Sequence, residues 1–118
     1  MPVKLTFAQV SRFVSKWKSL KLTDEDLQAL ERQIMDHPES GEVMRGTSGV
    51  RKLRFAPPSW NTGKSGGTRV CYIVFIEAAF CYLFALFGKS EKPNLTNEEK
   101  QELQQIIPKL RKLHQRAK

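Results

Sequence analysis

From Val43 to Ile76 this chain contains no aspartate or glutamate. Histidine and cysteine are also scarce, with two of each. Cys71 and Cys81 lie ten positions apart in apolar surroundings, and His37 and His114 are distant from them and from each other. That pattern excludes a Cys/His metal site of recognised spacing, leaves a disulfide across a hairpin without support, and reads as two buried thiols in a reducing cytosol. The opening Met1-Pro2-Val3-Lys4 has no apolar run, which argues against a signal peptide and for a cytoplasmic protein. One apolar stretch, Val70 to Phe87, approaches membrane-span length with a single charge, Glu77. It is rich in Val, Ile, Phe, Tyr and Cys, and Glu77-Ala78-Ala79 divides it at strand length, so it reads as two buried strands and no membrane is expected. No internal repeat is present.

The acid-free stretch is not neutral. It carries Arg45, Arg51, Lys52, Arg54, Lys64 and Arg69, and the whole chain of 118 residues has a net charge of +8. A surface of one sign repels itself, and a polyanionic partner is the simplest reason for it. The length fits one domain, residues 1–118, with a single core.

Element signals place these charges. Val3-Lys4-Leu5 reads as a short opening strand. Thr6 reads as the N-cap of a first helix, in which Phe7, Val10, Phe13, Val14 and Trp17 recur at helical spacing. A second helix opens at Thr23 with Asp24, Glu25 and Asp26 in its first turn, and ends near His37-Pro38. Strands are expected over Glu42–Thr47, Val50–Ala56, Thr68–Ile76 and Ala79–Phe87, with a tight turn at Ser48-Gly49. Thr96-Asn97-Glu98-Glu99 matches a capping box and opens a last helix that Pro108 should kink or interrupt. The order predicts an α+β two-layer domain: N-terminal helices on a small antiparallel sheet of three to four strands, then a C-terminal helix.

Alternation sorts the cations. Leu53 and Phe55 point to the core, so Lys52 and Arg54 take the other face of their strand, and Arg69 joins them if Val70 is buried. Beside them the loop Gly63-Lys64-Ser65-Gly66-Gly67 permits close backbone approach to an anion. Trp60, on an irregular loop, offers a ring on which a base could stack. The bland reading of the same cations is a set of solvated strand charges.

The blocks Gly46-Thr47-Ser48-Gly49-Val50-Arg51-Lys52-Leu53-Arg54-Phe55, Gly63-Lys64-Ser65-Gly66-Gly67-Thr68-Arg69-Val70, Phe87-Gly88-Lys89-Ser90-Glu91-Lys92 and Leu95-Thr96 resemble the RelE/HigB toxins of bacterial type II toxin–antitoxin modules. With Ser90 after the Gly-Lys pair and Thr96 near the place of a tyrosine in the best-known RelE toxins, the chain is more similar to the HigB branch. The resemblance implies a RelE-like fold with a twisted antiparallel sheet and a basic concave face. It implies an endoribonuclease that cuts messenger RNA in the ribosomal A site by attack of the 2′-hydroxyl, without metal or other cofactor. It implies Lys52, Arg54 and Arg69 at the scissile phosphate, with Lys52 the choice for proton transfer. Arg51, Lys64, Lys89 and Lys92 would hold neighbouring phosphates. The implied partners are the ribosome with its messenger and a helix-turn-helix antitoxin.

Two alternatives share the basic face: a gyrase poison of the ParE type, and a non-catalytic nucleic-acid-binding module. Walker-type nucleotide binding is excluded, because Pro58 and Leu83 stand where Gly63-Lys64-Ser65 and Gly88-Lys89-Ser90 would need an upstream glycine. A two-histidine ribonuclease is disfavoured, since His37 and His114 lie outside the basic block.

Overall fold

The computed structural model describes residues 2–60, 67–88 and 95–115. In chain order these form β1 (Thr6–Gln9), α1 (Ser11–Ser19), α2 (Asp24–Asp36), β2 (Glu42–Val43), β3 (Arg51–Phe55), a 3₁₀ turn (Pro58–Trp60), β4 (Thr68–Phe75), a second 3₁₀ turn (Ile76–Ala78), β5 (Phe80–Gly88) and α3 (Asn97–Gln115). The strands make one five-stranded sheet in the order β1-β5-β4-β3-β2. The α+β class holds, with two helices before the central strands and one after.

Two of the three expected helix starts are built from local hydrogen bonds. The Thr23 hydroxyl accepts from the Asp26 N–H at 3.1 Å while the Asp26 carboxylate accepts from the Thr23 N–H at 2.9 Å, closing a capping box. Thr96 and Glu99 repeat the arrangement at 3.1 and 2.7 Å in front of α3. Each box supplies acceptors for two N–H groups that a helix end leaves unpaired.

Several expectations are corrected. Thr6 opens a strand rather than a helix, and the Val3–Leu5 segment lies just before it. Strand β1 pairs in parallel with β5, with Phe7 beside Cys81, and the Thr6 and Val10 N–H groups donate to Ala79 and Leu83 carbonyls at the ladder's ends. Phe7 and Val10 fit a helical period, but helix there would leave the β5 edge open, and α1 starts only at Ser11. The sheet is consequently mixed and five-stranded rather than wholly antiparallel.

The expected Glu42–Thr47 strand shrinks to Glu42–Val43. Gly46 and Ser48 have φ of 78° and 65°, which no ladder accepts, and Thr47 Oγ1 bridges the loop by donating to the Met44 carbonyl at 2.7 Å and accepting from the Val50 N–H at 3.0 Å. The tight turn expected at Ser48-Gly49 becomes this longer hairpin loop. Finally, α3 runs through Pro108 as one helix, so Pro108 does not interrupt it. That residue is exposed while Ile107 beside it is fully buried, so the carbonyl that loses its donor lies on the side water reaches.

Two cores flank the sheet. One joins Phe13 and Trp17 of α1, Leu30 and Ile34 of α2, and Leu53, Phe55, Val70, Tyr72 and Leu83 of the strands. Stacked rings of Phe13, Trp17 and Phe55, at 5.6 and 6.3 Å, run through it. The other joins Leu103 and Ile107 of α3 to Cys71, Ile73, Phe75, Phe84, Ala85 and Phe87. A bulge explains the neighbours Phe84 and Ala85 sharing one core: Cys71 pairs with Ala85 but Tyr72 pairs with Leu83, leaving Phe84 as the extra residue. Helix α3 therefore lies over part of the face opposite to α1 and α2. No helix among the described residues is long and apolar enough to cross a membrane.

Candidate nucleic-acid interface

The register of β3 and β4 assembles the basic face. Arg54 pairs directly with Arg69, Lys52 with Cys71, and Leu53 with Val70. Leu53 and Val70 belong to the core under α1 and α2, so Lys52, Arg54 and Arg69 share the opposite face, beside the part that α3 covers. Arg54 is exposed, and Lys52 and Arg69 are half-buried. Directly paired strand residues hold their Cβ atoms about 5 Å apart, so the two arginines are rooted at adjacent positions of one face. Among the described residues no carboxylate lies within ion-pair distance of either arginine.

The surroundings fix this pair in place. The Gln33 amide of α2 donates to the Arg54 carbonyl at 2.9 Å. Thr68, fully buried, donates from its hydroxyl to the Phe55 carbonyl at 2.9 Å. Gly67 passes so close to the end of β3 that a Cβ there would collide with the Phe55 carbonyl and the Ala56 Cα. The Arg69 guanidinium donates to the Thr68 carbonyl at 3.3 Å. A small residue and a short hydroxyl thus lock the start of β4 onto β3, and both arginines project from a rigid ladder rather than a loop.

Arg51 and Trp60 separate from this face. Arg51 pairs with Tyr72 and so lies on the other side of β3. Its guanidinium donates to the carbonyls of Glu39 and Gly41 at 3.0 and 2.7 Å and meets the Glu39 carboxylate at 3.6 Å. Together with Tyr72, whose hydroxyl donates to the Pro38 carbonyl at 2.9 Å and accepts from the Gly41 N–H at 3.0 Å, it ties down the α2–β2 connection. Burial pushes the Tyr72 phenol above its ordinary value, with hydrogen bonding from Gly41 and the Arg51 charge opposing.

Trp60 packs half-buried against the first core. Its 3₁₀ turn is held to α2 by Ser59, whose N–H and hydroxyl donate to Asp26 at 3.0 and 2.5 Å. Asp26 is fully buried. Burial alone raises its carboxyl, but hydrogen bonds from the Ser59 hydroxyl, from the Thr23 and Ser59 N–H groups and from the Thr23 side chain outweigh that and hold it below 3.8. Lys64, Lys89 and Lys92 lie outside the described residues, as does the Gly63–Gly66 part of the glycine loop. Gly88 pairs with Thr68, so the chain leaves β5 next to Arg69.

Sequence reasoning passed over Glu42. Its pairing with Lys52 sets a carboxylate on the basic face, one row from the two arginines. Only the register shows this, because the chain between Glu42 and Lys52 loops out for most of its length. Cys71 and Cys81 are buried thiols, and burial, with the Glu31 charge, raises the Cys81 thiol far above its ordinary value. Among the described residues no three His, Cys, Asp or Glu side chains gather as metal ligands.

The arrangement roots two guanidiniums and one ammonium on one sheet face. That set suits a phosphodiester: guanidiniums can bind the non-bridging oxygens in pairs, and the ammonium acts as a compact charge and proton carrier. No family model matches the chain. Among solved structures, the chain is similar to that of the E. coli toxin RelE, a doubly arginine-to-alanine mutant in the free state, at 24% identity and a TM-score of 0.48, covering 77% of this chain and 86% of that one.

Proposed function

We propose that this protein is the toxin of a bacterial type II toxin–antitoxin module, an endoribonuclease that cleaves messenger RNA in the ribosomal A site. The observation that carries the reading is the direct pairing of Arg54 with Arg69 on the face that also bears Lys52. Like charges set opposite one another on a sheet are destabilising, so their placement calls for an anion between them. The four sequence blocks that resemble the RelE/HigB toxins narrow that anion to RNA.

In the reaction the 2′-hydroxyl oxygen attacks the adjacent phosphorus, and the bond from phosphorus to the 5′ oxygen breaks. A 2′,3′-cyclic phosphate and a 5′-hydroxyl result. The nucleophile belongs to the substrate, so the protein's task is alignment, charge stabilisation and proton movement. Arg54 and Arg69 hold the non-bridging oxygens as negative charge accumulates there. A guanidinium keeps its proton, so the proton-transfer role falls to Lys52, the ammonium on the same face. Lys64, Lys89 and Lys92 are assigned to flanking phosphates. A helix-turn-helix antitoxin, the ribosome and a cytoplasmic setting complete the reading.

Primer extension on a translated messenger tests it, with purified protein in the presence and absence of ribosomes. Cuts that need ribosomes and disappear for the Arg54→Gln/Arg69→Gln protein are expected. Gyrase-dependent DNA breaks with intact messenger would replace the reading with the ParE-type alternative.

A further inference from the structure

A second group of cations lies along the seam between the β2–β3 hairpin loop and α3, and the sequence blocks assign it no role. Lys100 and Gln104 flank Gly46: a Cβ on Gly46 would stand 3.9 Å from Lys100 Cδ and 3.8 Å from Gln104 Nε2. Seven residues further along the helix, Arg111 donates from Nη2 to the Ser48 carbonyl at 3.0 Å and lies 5.5 Å over the Phe75 ring. Arg45, exposed in the loop, adds a third cation. Two acids of α3 turn elsewhere: Glu99 and Glu102 meet Arg12 of α1 at 3.3 and 3.4 Å, on the helix's other edge. Lys100 and Arg111 are the α3 cations beside the hairpin.

The loop itself suits an anion. Gly46, Ser48 and Gly49 have φ of 78°, 65° and 113°. A backbone so turned, with no side chain on Gly46 or Gly49, permits the close approach of an anion. Gly46 and Ser48 are exposed. Arg111 is pinned at one N–H and has others to offer, so little side-chain freedom is lost when it binds.

We infer that this seam, Arg45–Gly49 with Lys100 and Arg111, is a second RNA-backbone site that extends the substrate track away from the Arg54–Arg69 pair. The inference rests on the RNA reading of the β3–β4 face. Its carrier is continuity: Arg54, Lys52 and the hairpin loop follow one another along β3, on the side of the sheet that α3 covers. From Arg54 to the loop at Val50 is about 13 Å at ordinary strand rise, longer than a single nucleotide contact needs. Glu42 beside Lys52 and Glu77 near Arg111 are the carboxylates that border the track. Ammonium, guanidinium and backbone N–H groups meet phosphates rather than base edges, so the site reads backbone and not sequence.

The test uses fluorescently labelled, uniformly 2′-O-methylated single-stranded RNA, which cannot supply the attacking hydroxyl, in lengths of four and twelve nucleotides. Binding is measured by anisotropy against salt for the full chain, for Arg45→Glu/Lys100→Glu, for the milder Arg45→Ala/Lys100→Ala, and for Arg54→Gln/Arg69→Gln. Arg111 is left intact because it holds the loop. Expected is a gain in affinity from four to twelve nucleotides for the unaltered protein. The seam variants should lose that gain, bind the twelve-mer at least fivefold more weakly, and show a salt slope lower by about 1.4 for two lost phosphate contacts. Equal twelve-mer binding and equal slopes in the folded seam variants, with loss confined to Arg54→Gln/Arg69→Gln, would overturn the seam and leave the β3–β4 site standing. Absence of RNA binding by the unaltered protein would overturn both.

Discussion

Replacing Arg54 by glutamine should make this protein more stable and less active at once. Arg54 sits directly opposite Arg69, and Lys52 lies on the same face two residues away. Two unit charges roughly 6 Å apart in a largely aqueous setting repel by about 0.7 kcal/mol, in line with the range of about 0.2–1 kcal/mol for directly opposed strand pairs. Glutamine keeps most of the aliphatic stem and leaves the backbone carbonyl that Gln33 bonds untouched. Arg54→Gln should therefore gain about 0.5–1 kcal/mol, a rise in Tm of roughly 2–5 °C. The gain should shrink toward zero in 1 M salt, where the screening length falls to about 3 Å. Arg69→Gln should gain less, because it also loses the hydrogen bond to the Thr68 carbonyl, and the double variant should gain less than the sum, because the first substitution already removes the pair's repulsion. Cleavage should fall by about 100- to 1000-fold for each single variant if each guanidinium stabilises the reacting phosphate. Urea unfolding at 20 mM and 1 M salt, beside single-turnover cleavage, measures both. A destabilised Arg54→Gln protein at low salt would refute the reasoning, since the pair would then be favourable without any anion.

Asp26→Ala should cost about 3 kcal/mol, because the Ser59 and Thr23 donors lose a buried acceptor; urea unfolding at pH 7 checks it. The unaltered protein's folded-state carboxyl is held below 3.8, so the contribution of Asp26 is complete above that value and fades as pH falls through it toward the folded value. A pH series from 2 to 7 should show that acid-side loss in the parent and its absence in Asp26→Asn. Gly67→Ala should lower both stability and cleavage, since the new methyl collides with β3 backbone that cannot turn aside; Tm and primer extension would report it. Cys81 should resist a thiol reagent at pH 8 in the native state and react in urea, its thiol being buried and raised; equal native and unfolded rates would contradict the burial.

Much of this molecule is written locally in the chain. The two capping boxes need only residues three apart, Thr23 with Asp26 and Thr96 with Glu99, and both helices open there. The face shared by Lys52, Arg54 and Arg69 follows from alternation around Leu53 and Val70, because a strand has period two wherever it goes. The same period sends Arg51 to the far face, where it ties the Glu39–Gly41 connection, so charge alone was a poor guide to its place. What needed tertiary structure is register and pairing. Thr6–Gln9 carries a helical spacing yet forms a strand, because the open edge of β5 offers hydrogen bonds that no local pattern records. That Arg54 opposes Arg69, that Glu42 stands beside Lys52, and that Lys100 and Arg111 meet the hairpin loop are likewise long-range outcomes. Composition determined that this chain would hold a dense positive field. The sheet's register decided which cations face one another, and so where an anion is called for.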